Sequence, residues 1–405
     1  MSKVVITSGA RTAVGAFLGG LKTVPVEELA SIAIKGALKR SNIDGKLVDD
    51  VVMGHVESSG DAPNLGRNAA LLAGLDHVPG YTVNRICGSG LQSIVNGTQD
   101  ILTGNSEIVV AGGAESLSRA PYYLPLEVRY QGFRMGNQEL KDANTKYHHN
   151  AQPYPQYPVM HMGNTAENVV KKYNISRDDQ DLFAYNSQMR AKAAQENGRF
   201  KKEIVPVEVK GRKGKVTVVD TDEHPRPDTT LDVLATLSPA FEKDGTVTAG
   251  NSSGLNDGGA ALVLMKEEKA KDLNVEPLAE VVDFAAAGLD PTLMGLGPAY
   301  AIKKLLDKVG MTKEEIDLYE INEAFAGQML GVMKEMDMYL EHPLYKRLNV
   351  NGGAIALGHP LGMSGTRITL SLVYELIERN LKYGIASACI GGGMGIALLI
   401  KNPNV

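Results

Sequence analysis

Cysteine is scarce in this 405-residue chain: there are two, Cys87 and Cys389. Two thiols at opposite ends of the sequence exclude a disulfide framework and a Cys-rich metal site. No CxxC, HExxH or Walker A pattern is present, so neither a metal nor a redox cofactor has a signature. No apolar run approaches the roughly 18 residues that would suggest a membrane span. The first residues enter a short apolar run at Val4–Ile6 and lack the core and cleavage region of a signal peptide, so a cytoplasmic enzyme is expected. The formal net charge of -5 gives no reason to expect nucleic acid or an anionic membrane as partner. With 43% hydrophobic and 22% charged residues, the chain has the composition of an ordinary globular protein and the length for two or three domains.

Strand-like and helix-like runs alternate over residues 4–115: Val4–Thr7, a helix near Val26–Lys39, Asp50–Val56, Leu65–Leu75, Tyr81–Val83, Leu91–Leu102 and Ile108–Ala111. Such alternation predicts an α/β layer structure. The second half repeats it, with helices near Pro298–Val309 and Thr366–Arg379 and strands at Asp317–Ile321, Gly384–Ile390 and Ile396–Ile400. Ala37–Val56 and Leu305–Ala324 share one layout of helix end, turn, acidic residues and strand. Cys87-Gly-Ser-Gly opens one helix where Gly362-Met-Ser-Gly opens its counterpart, which predicts an internal duplication. Residues 120–158 differ, holding six of the 15 tyrosines and five of the 18 prolines, as suits an irregular excursion. A basic run follows the helix near Arg177–Asn197. A solvated loop and a surface for a phosphorylated ligand both fit Lys201, Lys202, Lys210, Arg212, Lys213 and Lys215.

Four motifs carry chemistry. Cys87 lies in Val83-Asn-Arg-Ile-Cys-Gly-Ser-Gly-Leu, followed by an amphipathic pattern through Leu102, so it sits at a strand-to-helix turn. Helix amides aimed at the sulfur are expected to lower the thiol pKa, and Gly88 and Gly90 to keep the backbone clear for a ligand. His359 lies between glycine and proline in a Gly-rich turn, placed to serve as the base a thiol nucleophile needs. Cys389 precedes Ile-Gly-Gly-Gly-Met-Gly; a strand follows rather than a helix, so the dinucleotide-loop context fails. Tight glycines beside a thiol suit instead a backbone donor to an oxyanion and a proton-transfer group. Asn322, in Asn-Glu-Ala-Phe-Ala, ends a buried-looking strand, where its amide requires a partner.

In combination and in order, VNRICGSGLQ, GGAESLSRAPY, TAGNSSGLNDGGAA, NEAFA, GHPLGMSG and CIGGGMG resemble the thiolases over nearly the whole chain. The resemblance implies duplicated βαβαβαββ halves in α-β-α-β-α layers with an inserted loop domain. Its boundaries would be 1-119 for the N-terminal half (completed by about 249-272), 120-248 for the loop domain and 273-405 for the C-terminal half. It implies Cys87 as the acylated nucleophile and His359 as its base. His359 and a water held by Asn322 would stabilise a thioester oxygen, and Cys389 would move the substrate α-proton. The amides of Cys87 and Gly391 match a second oxyanion hole. Ser253 and Ala249 match the coenzyme A motif, Arg226 and His161 the nucleotide or pantetheine contacts, and Phe325 and Met294 pocket-lining positions. Three departures are Leu117, where the family has Met, a longer stretch at Asp337–Leu348, and the unusual composition of Tyr147–Pro158.

The implied reaction is the reversible Claisen condensation of two acetyl-CoA to acetoacetyl-CoA and CoA, with these thioesters as partners, no resident cofactor and no metal. A homodimer or homotetramer is implied. The alternative is a degradative 3-ketoacyl-CoA thiolase acting on longer chains. The form of His161-Met-Gly-Asn-Thr-Ala-Glu-Asn and the bulk of Met162 and Met294 favour a four-carbon substrate. A ketoacyl synthase would pair its Cys with two His or with His and Asn, whereas this chain carries a second Cys in CIGGGMG.

Overall fold

The computed structural model of the chain describes residues 3–405. In the first half run β1 (Val4–Arg11), α1 (Val26–Ser41), β2 (Asp50–Gly54), α2 (Leu65–Leu72), β3 (Gly80–Val83), α3 (Ser89–Thr103) and β4 (Ile108–Ser116). After the excursion come α4 (Met162–Tyr173), α5 (Arg177–Glu196) and β5 (Asn256–Lys266). The second half follows with β6 (Ala279–Gly288), α6 (Gly297–Val309), β7 (Leu318–Ile321), α7 (Ala326–Glu335), α8 (Leu361–Glu378), β8 (Tyr383–Ile390) and β9 (Met394–Lys401).

The strand order β7-β8-β9-β6-β1-β5-β4-β2-β3 reads as two copies of one pattern meeting at β1 and β6. In the first copy β2 is parallel to β4, β4 antiparallel to β5, and β5 antiparallel to β1. In the second, β7 is parallel to β8, β8 antiparallel to β9, and β9 antiparallel to β6. The copies join through the antiparallel register Val4↔Val281 to Ile6↔Ala279. One member is reduced. The edge strand β3, parallel to β2, is matched in the second copy only by an isolated parallel bridge, Tyr319↔Leu348.

Period-two alternation sends successive residues of each strand to different layers. On β4, Ile108 and Val110 join Ile34 and Leu38 of α1 in an outer core, while Val109 and Ala111 face the central layer. On β9, Leu398 and Ile400 face that central layer and Leu399 packs outward with Ile302 and Leu305 of α6. The central layer is α3 and α8, contributing Leu91, Ile94, Ile368 and Leu372. These two helices approach closely because glycines face each other. A Cβ on Gly90 would lie 2.7 Å from Thr366 N, and one on Gly365 would collide with Leu91 N. Gly88 meets Ile390 in the same way, at 2.5 Å. Gly88 and Gly90 therefore serve the packing of the central layer, a role the motif did not suggest.

A buried ionic network ties the first strand to the middle and end of the chain. Arg11, wholly buried, donates from Nε to Glu203 (2.8 Å) and from both terminal nitrogens to Asp222 (2.7 and 2.9 Å). Arg199 bonds Glu203 at 2.9 Å and reaches Glu375 of α8. Lys201, Lys202, Lys210, Lys213 and Lys215 are exposed, the last three on or beside a two-stranded hairpin. Lys202 pairs with Glu378.

Candidate active site

The turn from β3 into α3 is held by its own side chains. Asn84 Oδ1 accepts the Ile86 N–H (2.9 Å), and Ser89 Oγ accepts the Arg85 N–H (2.9 Å) and donates to Ile86 O (2.6 Å). Ile86 is driven to φ +47°, a costly region for a β-branched residue, and Cys87 follows it. The first helix amides are consumed within the turn, Gly88 N–H donating to Arg85 O (3.0 Å) and Ser89 N–H to Ile86 O (2.9 Å). The backbone donors on the Cys87 sulfur are its own amide and that of Gly391. Burial outweighs both and pushes the Cys87 thiol up to about 11. The expected lowering by the helix terminus does not occur, because those helix amides already have partners.

His359 lies on the turn before α8. Gly358 holds φ +93°, and a Cβ there would be 2.5 Å from the Asn256 amide, so only glycine fits. Asn256 Oδ1 accepts the His359 N–H at 2.9 Å. Ser364 Oγ donates to Pro360 O (2.9 Å), so at 2.6 Å from His359 Nδ1 it accepts that ring proton. The lone pair is thereby left on Nε2, 3.4 Å from Asn322 Nδ2. Burial, with Arg367 adding to it, lowers the His359 pKa to about 3, so the ring is neutral. Asn322 is fully buried and its Oδ1 has no protein partner among the described residues. Leu361, two residues beyond His359, packs in one apolar cluster with Cys87.

Cys389 ends β8, is 1% exposed, and lies close enough for the charge of Cys87 to act on it. Burial first, then that charge, raises its pKa well above the usual thiol range. It packs with Met162, Met294 and Phe325, three of the residues expected to line a pocket. Phe241 connects this cluster to the outside. Its ring meets Phe325 edge-on (5.8 Å) and stacks on His161 (4.8 Å). It also walls a cleft of about 820 Å³ that holds Arg226, Ala249 and Ser253. His161 caps α4, its Nδ1 accepting the Gly163 N–H at 3.1 Å, and burial lowers its pKa to about 4. The cleft beside Arg226 thus shares its Phe241 wall with the apolar cluster that holds Cys389.

Two family models divide the chain between them: the thiolase N-terminal domain matches residues 4–268 and the thiolase C-terminal domain residues 275–402. The chain belongs to the thiolase family. An acetyl-CoA acetyltransferase of Cupriavidus necator is 48% identical over 402 residues, covering 99% of this chain and 100% of the relative. Among solved structures, the acetyl-CoA acetyltransferase of Bacillus anthracis superposes with a TM-score of 0.94 at 47% identity, over 99% of both chains. Human mitochondrial 3-ketoacyl-CoA thiolase in complex with CoA gives 0.92 at 44%, over 99% of this thiolase and 98% of that chain.

Ten of the twelve residues singled out from the thiolase motifs lie in the two cysteine environments or at the cleft and its Phe241 wall; the other two, His359 and Asn322, face each other, and Leu361 links their turn to Cys87. Four further residues escaped the motif reading. Asn256 fixes the His359 backbone and also donates to Gly15 O (2.9 Å); its place in TAGNSSGLNDGGAA was the available signal. Gln188 accepts the Arg226 N–H at 2.8 Å, and Phe241 bridges cleft and pocket. Tyr147 reaches the nucleophile from the excursion. The last three had no motif to mark them.

Proposed function

We propose that this acyltransferase exchanges acyl groups between coenzyme A thioesters through an acetyl thioester on Cys87, interconverting two acetyl-CoA with acetoacetyl-CoA and CoA. One observation carries the reading. The amides of Cys87 and Gly391 converge on the Cys87 sulfur while a second thiol, Cys389, stands beside it. Once the sulfur is acylated, the thioester oxygen can take the donors that the bare sulfur now holds. In cleavage the Cys389 thiol gives its proton to the departing acetyl-CoA enolate; in condensation the Cys389 thiolate takes the α-proton of the second acetyl-CoA, and the carbanion attacks the acyl carbon, releasing the Cys87 thiolate.

His359 takes the Cys87 proton at Nε2, the nitrogen that Ser364 leaves unprotonated. In the condensation step Asn322 and His359 face the enolate oxygen of the second thioester, directly or through a water bound to the otherwise unpaired Asn322 Oδ1. The cleft with Arg226, Ala249 and Ser253 takes the coenzyme A moiety. The scheme calls on no metal and no redox cofactor, and we place the enzyme in the cytoplasm. The N-terminal half, loop domain and C-terminal half follow the boundaries inferred from the motifs. A dimer or tetramer is part of the proposal, supported by the exposed apolar side chains Leu126, Tyr130, Phe133, Met135 and Leu140.

Met162 and Met294, 6% and 2% exposed, pack in one cluster with Cys389, and their bulk supports short acyl chains. Each buried methylene is worth about 0.8 kcal/mol in an open pocket, so a closed one reverses the preference for length. Cleavage of acetoacetyl-CoA by free CoA, followed through the magnesium-enolate absorbance, is the test. Faster cleavage of 3-ketohexadecanoyl-CoA would overturn the short-chain reading, and no cleavage of either would overturn the reaction.

A further inference from the structure

The tyrosine-rich excursion between β4 and α4 sends one side chain to the nucleophile. Tyr147, on the short helix Ala143–His149, packs around Cys87 with Val56, Leu117 and Leu361. Its ring is half-buried, its hydroxyl is sealed from solvent, and that hydroxyl interacts with the Cys87 sulfur. The helix beneath it is anchored. Asp142 caps its start by accepting the Asn144 N–H (2.9 Å), and Asn144 Nδ2 donates to Leu117 O (3.2 Å). We propose that Tyr147 is a further catalytic residue, its phenol the third hydrogen-bond donor to the Cys87 thiolate beside the amides of Cys87 and Gly391. This rests on the reading of Cys87 as the acylated nucleophile.

A neutral thiol is a weak acceptor and a thiolate a strong one, so a donor fixed at the sulfur favours the charged form. The advantage is available twice in a cycle: when Cys87 is deprotonated for attack, and when incoming CoA expels it as a thiolate. The phenol is suited to remain a donor. Burial comes first, and the charges of Cys87, Glu115 and Glu57 add to it, so the hydroxyl keeps its proton well above neutral pH. Glu115 also opposes the Cys87 thiolate, and Cys389 lies beside it, so the three donors work against a site hostile to negative charge. Part of that opposition is what Tyr147 offsets.

The test is alkylation of Cys87 by iodoacetamide across pH in the full chain, read on the Cys87 peptide by mass spectrometry. In Tyr147→Phe the rate is expected to fall about tenfold at any fixed pH below the thiol pKa, displacing the profile about one unit to higher pH. The melting temperature and the KM for CoA are expected to stay as in the wild type. Replacement of Tyr147 by 3-fluorotyrosine keeps the shape and strengthens the donor, so it displaces the profile the other way and serves even if the Phe variant does not fold. Fluorotyrosine and wild-type profiles that superimpose would overturn the proposal, as would an unshifted profile in a folded Tyr147→Phe protein. Failure of acetyl-CoA to label Cys87 in the wild type would instead remove the underlying reading of the nucleophile.

Discussion

The two halves of this thiolase share one strand pattern but use equivalent positions differently. In the second half, β7 ends at Ile321 and hands over to Asn322, and β8 ends beside Cys389; both are residues of the candidate site. In the first half, β2 ends at Gly54 and hands over to His55, and Glu115 lies at the end of β4. These two are bonded to each other at 2.9 Å. Glu115 also accepts the amides of Val56 (3.1 Å), Glu57 (3.1 Å) and Gly362 (2.8 Å), clamping the first half to the start of α8. The strand-to-helix turns diverge as well, one carrying Cys87, the proposed nucleophile, and its counterpart His359, the proposed base. Duplication supplied two equivalent frames facing one another across α3 and α8. One frame's strand ends became chemistry and the other's became the clamp that fixes the distance between them.

Breaking the chemical side of that comparison should have the largest effect. Cys87→Ala is expected to lower turnover by about 10^5-fold while the protein keeps its fold, since the turn is held by Asn84 and Ser89. Mass spectrometry after incubation with acetyl-CoA should find no acetyl group on that peptide, and near-normal turnover would sink the assignment. Cys389→Ser separates the two thiols. It should still acquire acetyl on Cys87 but lose exchange of acetyl-CoA α-protons with heavy water by about 10^2–10^4-fold. Exchange at the wild-type rate would remove Cys389 as the base.

The clamp is tested through stability. Glu115→Gln leaves His55 and three amides facing a neutral group of reduced acceptor capacity, at a cost of about 2–4 kcal/mol. Denaturant unfolding should show that loss, and a change below about 0.5 kcal/mol would mean that the clamp is decorative. The smallest effect concerns the resting thiol. Because burial raises the Cys87 pKa to about 11, only about one molecule in ten thousand carries the thiolate at pH 7. Alkylation of the free enzyme should therefore climb about tenfold per pH unit from 7 to 9 without levelling. A plateau near neutrality would show that the site favours the thiolate in the absence of substrate.

The fold was legible because its signals are local and periodic. The runs around Val26–Lys39, Asp50–Val56 and Leu91–Leu102 became α1, β2 and α3 with shifts of a few residues. The start of α8 was less so. It begins at Leu361 rather than near Thr366, because Leu-Gly-Met-Ser-Gly reads as a turn until α3 is known to need those glycines for close contact. The site residues were legible where a motif marks them. Tyr147 and Phe241 were not, since what qualifies them is proximity across the fold. The thiol's raised pKa was misjudged for a related reason: a helix start was visible in the sequence, but the bonds that occupy its amides were not.

The strand order also bears on how the chain is made. Strand β1 pairs with β5 and β6, so its partners are translated some 250 residues later. At about 5–20 residues per second, that interval is on the order of ten seconds to a minute. Through it, the apolar run Val4–Ile6 lacks its strand neighbours, and for most of it the cationic Arg11 also lacks Glu203 and Asp222. A nascent chain halted before Glu203 therefore presents an open sheet edge and an unpaired charge at once, the condition under which chaperones are recruited and aggregation begins. The demand on the cell's folding machinery follows from the place of one strand in the sheet, and expression at lower temperature with slowed initiation should relieve it.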